Sequence, residues 1–321
     1  MNTILIIALV SVLLVTLTQV MRILEITSAM RGESNTVNDT DNRNQGFLMV
    51  LFMIAMLGSF IWSYFAWSHH LLPEPASEHG VKIDRLMAIT MGVIIFVFFV
   101  TQILLFWFAF KYRGEKKRKA AYISHNNKLE MIWTFIPAVV LTVLIAYGLN
   151  TWTGMMSSDM TDARVVEFYA RQFDWTARIA GEDNVLGEAN VRYIEGQNIV
   201  GVNPEDEAGF DDQMVRGEIH IPVGQPHLLK FRSQDVIHSA YFPHFRMQMN
   251  CVPGMITQFA FTPTKTTAEM RAITGNPEFE YVLLCNKICG SAHYNMQMTI
   301  VVESEADYQA WLAEQSTMKQ G

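Results

Sequence analysis

Residues 283–298, LLCNKICGSAHYNMQM, put two cysteines, a histidine and two methionines into sixteen positions of a 321-residue chain that has three cysteines in all. Cys285, Cys289, His293 and Met296 form the pattern C-x3-C-x3-H-x2-M, and Gly290 breaks any continuous helix through it. The flanks read as strands: EYVLLC before the cluster and MQMTIVVE after it are short and rich in β-formers. EIHIPVG, HLLKFRS and ITQFAFTP upstream have the same character. From Val165 onward the chain is therefore a series of β-like segments broken by Gly, Pro, Asn and Asp, which points to a β-sandwich or barrel.

Three chemistries suit the cluster. An oxidising compartment would allow the two cysteines to pair as a disulfide. Structural zinc takes Cys and His but has little use for a thioether. Copper suits two thiolates, an imidazole and a thioether. C-x-x-C-H is absent, so covalently attached heme is not expected. A further nitrogen is available from His238 in SQDVIHSAYFP, about fifty residues upstream, where a sandwich could bring two strand ends together.

The first half of the chain is different. With 50% hydrophobic and 17% charged residues the protein is oily, and the apolar residues concentrate in four runs: Thr3 to Met21, Gly46 to Trp67, Leu86 to Phe110 and Ile132 to Leu149. The first three have the length of a membrane-crossing helix, and the fourth reaches it with its flanks from Leu129 to Trp152. The start, MNTILIIALV, lacks the positive region of a signal peptide and reads as a membrane helix. The loop KYRGEKKRKAAYISHNNK sets seven Lys and Arg against one Glu, which places it in the cytoplasm and everything after the fourth helix outside. The segment from Glu182 to Asp212 has nine acids and one Arg, without clean periodicity; a loop of that length is expected to be functional or disordered. EADYQAWLAEQ near the end reads as a short surface helix with a packing role.

Together, DVIHS, PGM fifteen residues after its histidine, and CNKICGSAHYNM resemble subunit II of heme–copper cytochrome c oxidases. LEMIWTFIPAVVL, with Glu130, Trp133 and Pro137, resembles that family's second membrane helix, and the helix ending in FKYR resembles its first. The resemblance covers roughly residues 86 to 303. It implies a four-helix transmembrane anchor joined to a Greek-key cupredoxin sandwich. Residues 1–70 would be extra N-terminal membrane helices and 71–155 the helix pair typical of the subunit. Residues 163–305 would form a periplasmic domain with an acidic insertion at about 182–215, and 306–321 a C-terminal helix and tail.

By the same resemblance the site is a binuclear copper centre, CuA. Cys285 and Cys289 would bridge both ions; His238 and Met296 would complete one, His293 and the backbone carbonyl of Lys287 the other. Phe173 and Trp175 in RQFDWTARI stand where electrons enter, and Glu130 stands at the mouth of the K proton pathway. The implied activity is that of a proton-pumping terminal oxidase in a bacterial inner membrane. Its implied partners are subunit I with heme and CuB, subunit III, the lipid membrane and a cytochrome c donor; heme is expected only in partner subunits, and no nucleic acid is expected.

Several positions depart from the family. The usual Glu two residues after the first cysteine is Lys287, and an ammonium cannot bind magnesium, so that contact is expected to be missing. Two acids that steer basic cytochrome c are Gln234 and Asn250, and the usual first tryptophan is Phe173. From Ala163 onward the chain nevertheless carries 12 basic and 20 acidic residues. Either the insertion has taken over steering, or the donor is tethered to the membrane or part of a quinol-oxidising complex. The alternative to the whole reading is a membrane-anchored copper-binding or copper-delivery protein, which would not need LEMIWTFIP. Cys251 reads as a buried small hydrophobe, and His244, His69 and His70 as residues without a chemical role.

Overall fold

In the computed structural model, residues 2–31, 38–156 and 162–318 are described. Each apolar run lies inside a longer helix: α1 (Asn2–Met30), α2 (Asp39–Trp67), α3 (Glu78–Lys111) and α4 (Asn127–Met156). All four are long and apolar enough to cross a bilayer. Parts of the expected first loop (32–37) and of the expected tail (319–321) lie outside the described residues.

The chain divides into two compact units. The first combines Met1–Ala66 with Ile95–Asn127. Aromatic contacts between α2 and the second half of α3 recur along it, with ring centroids 5.0 Å apart for Phe47 and Phe110, 5.5 Å for Phe52 and Phe106, and 5.4 Å for Phe60 and Phe98. Polar bonds close its basic end. Asp39 accepts from the Lys116 N–H at 2.7 Å, and Asn42 donates to the Gly114 carbonyl at 3.0 Å.

The second unit, Trp67–Ile94 with Lys128–Gly321, contains the β domain. Its strands are β1 (Arg164–Arg171), β2 (Asp174–Ile179), β3 (Gln213–Arg216), β4 (Glu218–Pro222), β5 (His227–Ser233), β6 (His238–Phe242), β7 (Met247–Cys251), β8 (Thr257–Phe261), β9 (Tyr281–Cys285) and β10 (Gln297–Glu303). They form two five-stranded sheets, β3-β2-β1-β5-β8 and β4-β10-β9-β6-β7. The parallel neighbours β1/β5 and β4/β10 are long-range crossovers between otherwise antiparallel pairs. Burial follows the pleat. Along β5, His227, Leu229, Phe231 and Ser233 face inward; along β10, Met298, Ile300 and Val302 do. Each large apolar side chain sealed between the sheets contributes about 1.5–3 kcal/mol.

The five quoted β-like segments become β4, β5, β8, β9 and β10. Two elements differ from the sequence reading. A short helix, α5 (Thr267–Thr274), follows β8, started by a reciprocal cap in which Thr266 Oγ1 accepts from Glu269 N and Glu269 accepts from Thr266 N. The acidic segment is neither disordered nor a free loop. Its exit forms β3, and its Val200 and Val202 are buried with Tyr169 against the outer face of the first sheet.

The reason is a buried charge. Arg178 and Glu167 are register partners on β2 and β1, and each is 2% exposed. Arg178 Nε donates to Glu167 at 3.0 Å, and its Nη1 donates to Asp212 at 3.1 Å and to the Gly187 carbonyl at 2.8 Å. A guanidinium out of water needs all of these acceptors, and the segment 182–212 supplies two of them. Burial pushes the Asp212 carboxyl up to about 7 against the opposing pull of Arg178.

The C-terminal helix α6 (Glu305–Ala313) packs as expected. Trp311 stacks on His220 with centroids 4.4 Å apart, and His220 is held between Glu303 and Glu218 at 2.7 and 3.0 Å.

Candidate metal centre

The ligand cluster forms where three strand ends meet. β9 ends at Cys285 and β10 begins at Gln297, so residues 286–296 are a loop between antiparallel neighbours. Its neck is closed by Cys285 N donating to Met296 O at 3.1 Å, and its first residue is tied to β6 by Asn286 N donating to Ser239 O at 2.8 Å. β6 begins at His238, which pairs in register with Cys251 of β7. The strand therefore starts at this histidine.

Six donors converge here. His238 Nδ1 lies 3.8 Å from Cys285 Sγ; the two sulfurs are 3.8 Å apart; Cys289 Sγ lies 3.6 Å from His293 Nδ1 and 3.9 Å from Met296 Sδ. The Lys287 carbonyl lies 3.2 Å from Cys285 Sγ, while the lysine side chain is exposed. Both cysteines are free thiols at a separation no disulfide has, so the pairing alternative is absent. His238, Met296 and Cys289 are 0%, 1% and 5% exposed, so water is largely excluded from one side of the cluster.

The electrostatics suit a cation. Burial, then the neighbouring Cys285 thiol, pushes the Cys289 thiol up to about 11. The Cys289 thiol thus resists ionisation until a metal ion offsets the charge. With two sulfurs, two imidazoles, a thioether and a carbonyl, the set is soft and fits copper better than zinc.

A second layer orients these donors. His238 Nε2 donates to Asp235 Oδ1 at 2.8 Å, which leaves Nδ1 directed at the sulfurs. Burial opposes ionisation of Asp235, but hydrogen bonds from Gln172 N–H, His238 and Val236 N–H outweigh it and hold the carboxyl below its usual range. Gln172 also donates through its side chain to the Cys289 carbonyl. The β1–β2 turn thereby touches both the histidine's partner and the cysteine loop. Asp235 and Gln172 were not singled out as supports by the sequence reading; their only signal was their place within DVIHS and RQFDW.

The aromatic pair separates. Phe173 is half-buried and lies over Gly290, where an added Cβ would stand 2.7 Å from its ring. Trp175 is fully buried, 6.3 Å from the His238 ring, and offers no surface to a partner. Glu130 lies elsewhere, in the first turn of α4. Cys251 is buried, its thiol pushed up to about 12 by desolvation, and His244 packs edge-on against Phe279 and Tyr281.

An antiparallel sandwich with two crossovers, a six-donor soft site at one end and an apolar helical anchor defines a membrane-bound cupredoxin-type protein. The family described as cytochrome c oxidase subunit II, transmembrane domain, matches residues 65–151, and its periplasmic domain matches residues 199–305. The alternative cytochrome c oxidase subunit 2 of Bradyrhizobium diazoefficiens is 33% identical over 273 residues, covering 84% of this chain and 91% of the relative. Cytochrome c oxidase subunit 2 of Thermostichus vulcanus is 26% identical over 275 residues, covering 78% and 80%. That of Cereibacter sphaeroides is 25% identical over 250 residues, covering 74% and 77%. The chain belongs to the cytochrome c oxidase subunit II family. It is a membrane-anchored subunit of a heme–copper oxidase complex, with its C-terminal domain in the periplasm.

Proposed function

We propose that this chain admits electrons to a proton-pumping terminal oxidase of a bacterial inner membrane. It takes them one at a time from a cytochrome c donor and passes them to heme in subunit I, where oxygen is reduced to water. The observation that carries this reading is the convergence of His238, Cys285, Cys289, His293, Met296 and the Lys287 carbonyl at one end of the sandwich. In the accompanying domain arrangement, residues 1–70 are additional membrane helices, 71–155 the subunit's usual helix pair, 163–305 the periplasmic copper domain and 306–321 its terminal helix and tail.

Held by His238, Cys285, Cys289, His293, Met296 and the Lys287 carbonyl, a pair of copper ions would supply a one-electron carrier. The protein's part is to hold the frame still. Cys285 and Cys289 are fixed by the closed loop neck, His238 by Asp235, and Met296 by burial. A frame that moves little between oxidation states costs little reorganisation. Phe173, over Gly290, is the group a docked donor would meet, and Trp175 belongs to the interior behind it. EPR of the copper-loaded protein tests the proposal. Hyperfine coupling to two equivalent copper nuclei is expected; coupling to one nucleus would overturn the binuclear assignment.

Glu130 is assigned to the mouth of the K proton pathway, because it opens α4 on the side of the basic loop. Glu130→Gln is expected to slow reduction of the active-site heme, and an unslowed rate would remove that role. Lys287 replaces a carboxylate, so no magnesium contact from this position is assigned. Manganese-substituted oxidase is expected to show no ligation by this subunit, and a Mn²⁺ signal broadened by it would contradict this. The exposed acids Glu182, Asp183, Glu188 and Glu205 leave steering of a soluble cytochrome c open to the insertion. The extra helices favour a membrane-tethered donor, for which turnover with a soluble basic cytochrome should be slow and insensitive to salt.

A further inference from the structure

A cavity of about 500 Å³ opens between the start of α3, the end of α4 and strand β8, within the unit that carries the β domain. Its polar lining is Glu78, His79 and Lys82 from α3 and Tyr147, Asn150 and Thr151 from α4. None of these residues belongs to the metal centre.

The start of α3 is built into the sandwich. Ser77 Oγ donates to the Phe245 carbonyl at 2.8 Å, Ala76 N to the His244 carbonyl at 2.8 Å, and Arg246 clasps Asp84 with Nε and Nη2 at 2.8 and 2.9 Å. The cavity wall is thereby rigid. Within it, His79 is 7% exposed and packs on Phe259 with centroids 5.1 Å apart, yet its Nε2 has no hydrogen-bond partner among the described residues. A buried polar nitrogen left unmatched costs about 1–3 kcal/mol, so the site is built for something that supplies the partner.

The charges at the mouth identify it. Glu78 and Lys82 are exposed and one turn apart on α3, so the rim carries one anion and one cation. α4 leads directly into the periplasmic domain, so its last turns lie at the level of the periplasmic headgroups, and exposed Trp152 is an interfacial anchor at that level. We propose that this cavity binds the headgroup of a phospholipid carrying both a phosphate and a primary ammonium. Lys82 faces the phosphate, and Glu78 and the His79 Nε2, an acceptor on a neutral ring whose N–H is turned to the Phe245 and Arg246 backbone, face the ammonium. The inference rests on the membrane placement of the chain and is independent of the metal it binds.

The test uses the intact oxidase complex in detergent. Native mass spectrometry counts retained lipids, and the delipidated complex is then titrated with phosphatidylethanolamine or phosphatidylglycerol. Wild-type complex is expected to retain one phosphatidylethanolamine that Lys82→Ala loses, with affinity about tenfold weaker, the loss of one charge-assisted bond. Lys82→Arg should keep it, and Glu78→Gln should abolish the preference for phosphatidylethanolamine over phosphatidylglycerol. Both side chains are exposed, so the variants should assemble, which the subunit masses in the same spectra report. Equal lipid counts in wild type and Lys82→Ala would overturn the proposal, as would a cavity filled in the complex by a side chain of a neighbouring subunit.

Discussion

The carboxylate of Asp235 accepts from Nε2 of His238 at 2.8 Å, three residues ahead of it in the chain and on the opposite side of the ring from the cysteines. One hydrogen bond therefore selects the imidazole tautomer and aims its free nitrogen at the sulfurs.

Replacing Asp235 with alanine should weaken copper binding by about 10–100-fold, the usual cost of losing the partner behind a ligating histidine. Asp235→Asn can still accept through its amide oxygen and should lose less. Competition with a copper chelator measures both, and equal affinities for Asp235→Ala and wild type would remove the role.

Gly290 has φ +143°, and a Cβ there would meet the Phe173 ring at 2.7 Å. Gly290→Ala should cost about 1–3 kcal/mol in backbone strain and displace the ring. If Phe173 is where the donor makes contact, stopped-flow mixing with reduced donor should show slower electron uptake at unchanged copper content.

Arg178 has a structural role that can be measured without copper. Removing it leaves Asp212 a buried acid without its cation and Glu167 with Arg232 alone, so Arg178→Ala should destabilise the β domain by about 3–5 kcal/mol. The segment 182–212 loses its anchor in the same variant and should become the first site of limited proteolysis.

His227, 1% exposed, sits at the start of β5 with Nδ1 2.9 Å from the Gln225 carbonyl. Desolvation pulls its pKa down to about 4 from 6.5, with the nearby Arg164 charge adding to the effect. Between those values the unfolded chain binds a proton that the folded chain refuses. Stability is therefore full above pH 6.5 and falls as the pH drops toward 4, by about 3 kcal/mol at most. Melting curves across that range should flatten in His227→Gln.

The anchor was legible in the sequence because hydropathy is a local property: each apolar run is contiguous, and each lies within one helix. The converging donors were legible for a similar reason, since five of the six lie within residues 285–296 and the loop needs only a strand on each side to close. The same one-dimensional reading left the acidic segment as either functional or disordered, because its order depends on Arg178, which contacts Asp212 across 34 positions of chain.

By itself, then, the sequence determined the membrane spans, the β character of the second half and a cluster of soft donors in one loop, compatible with a disulfide, zinc or copper. These follow from residue types at short spacing. Tertiary structure alone decided that Asp235 and Gln172 brace the ligands, that Phe173 rather than Trp175 has surface to offer, and that the acidic segment seals a buried guanidinium. Those outcomes depend on which strand ends meet and which faces are covered, and the energy that selects them comes from desolvated groups finding partners far away in the chain.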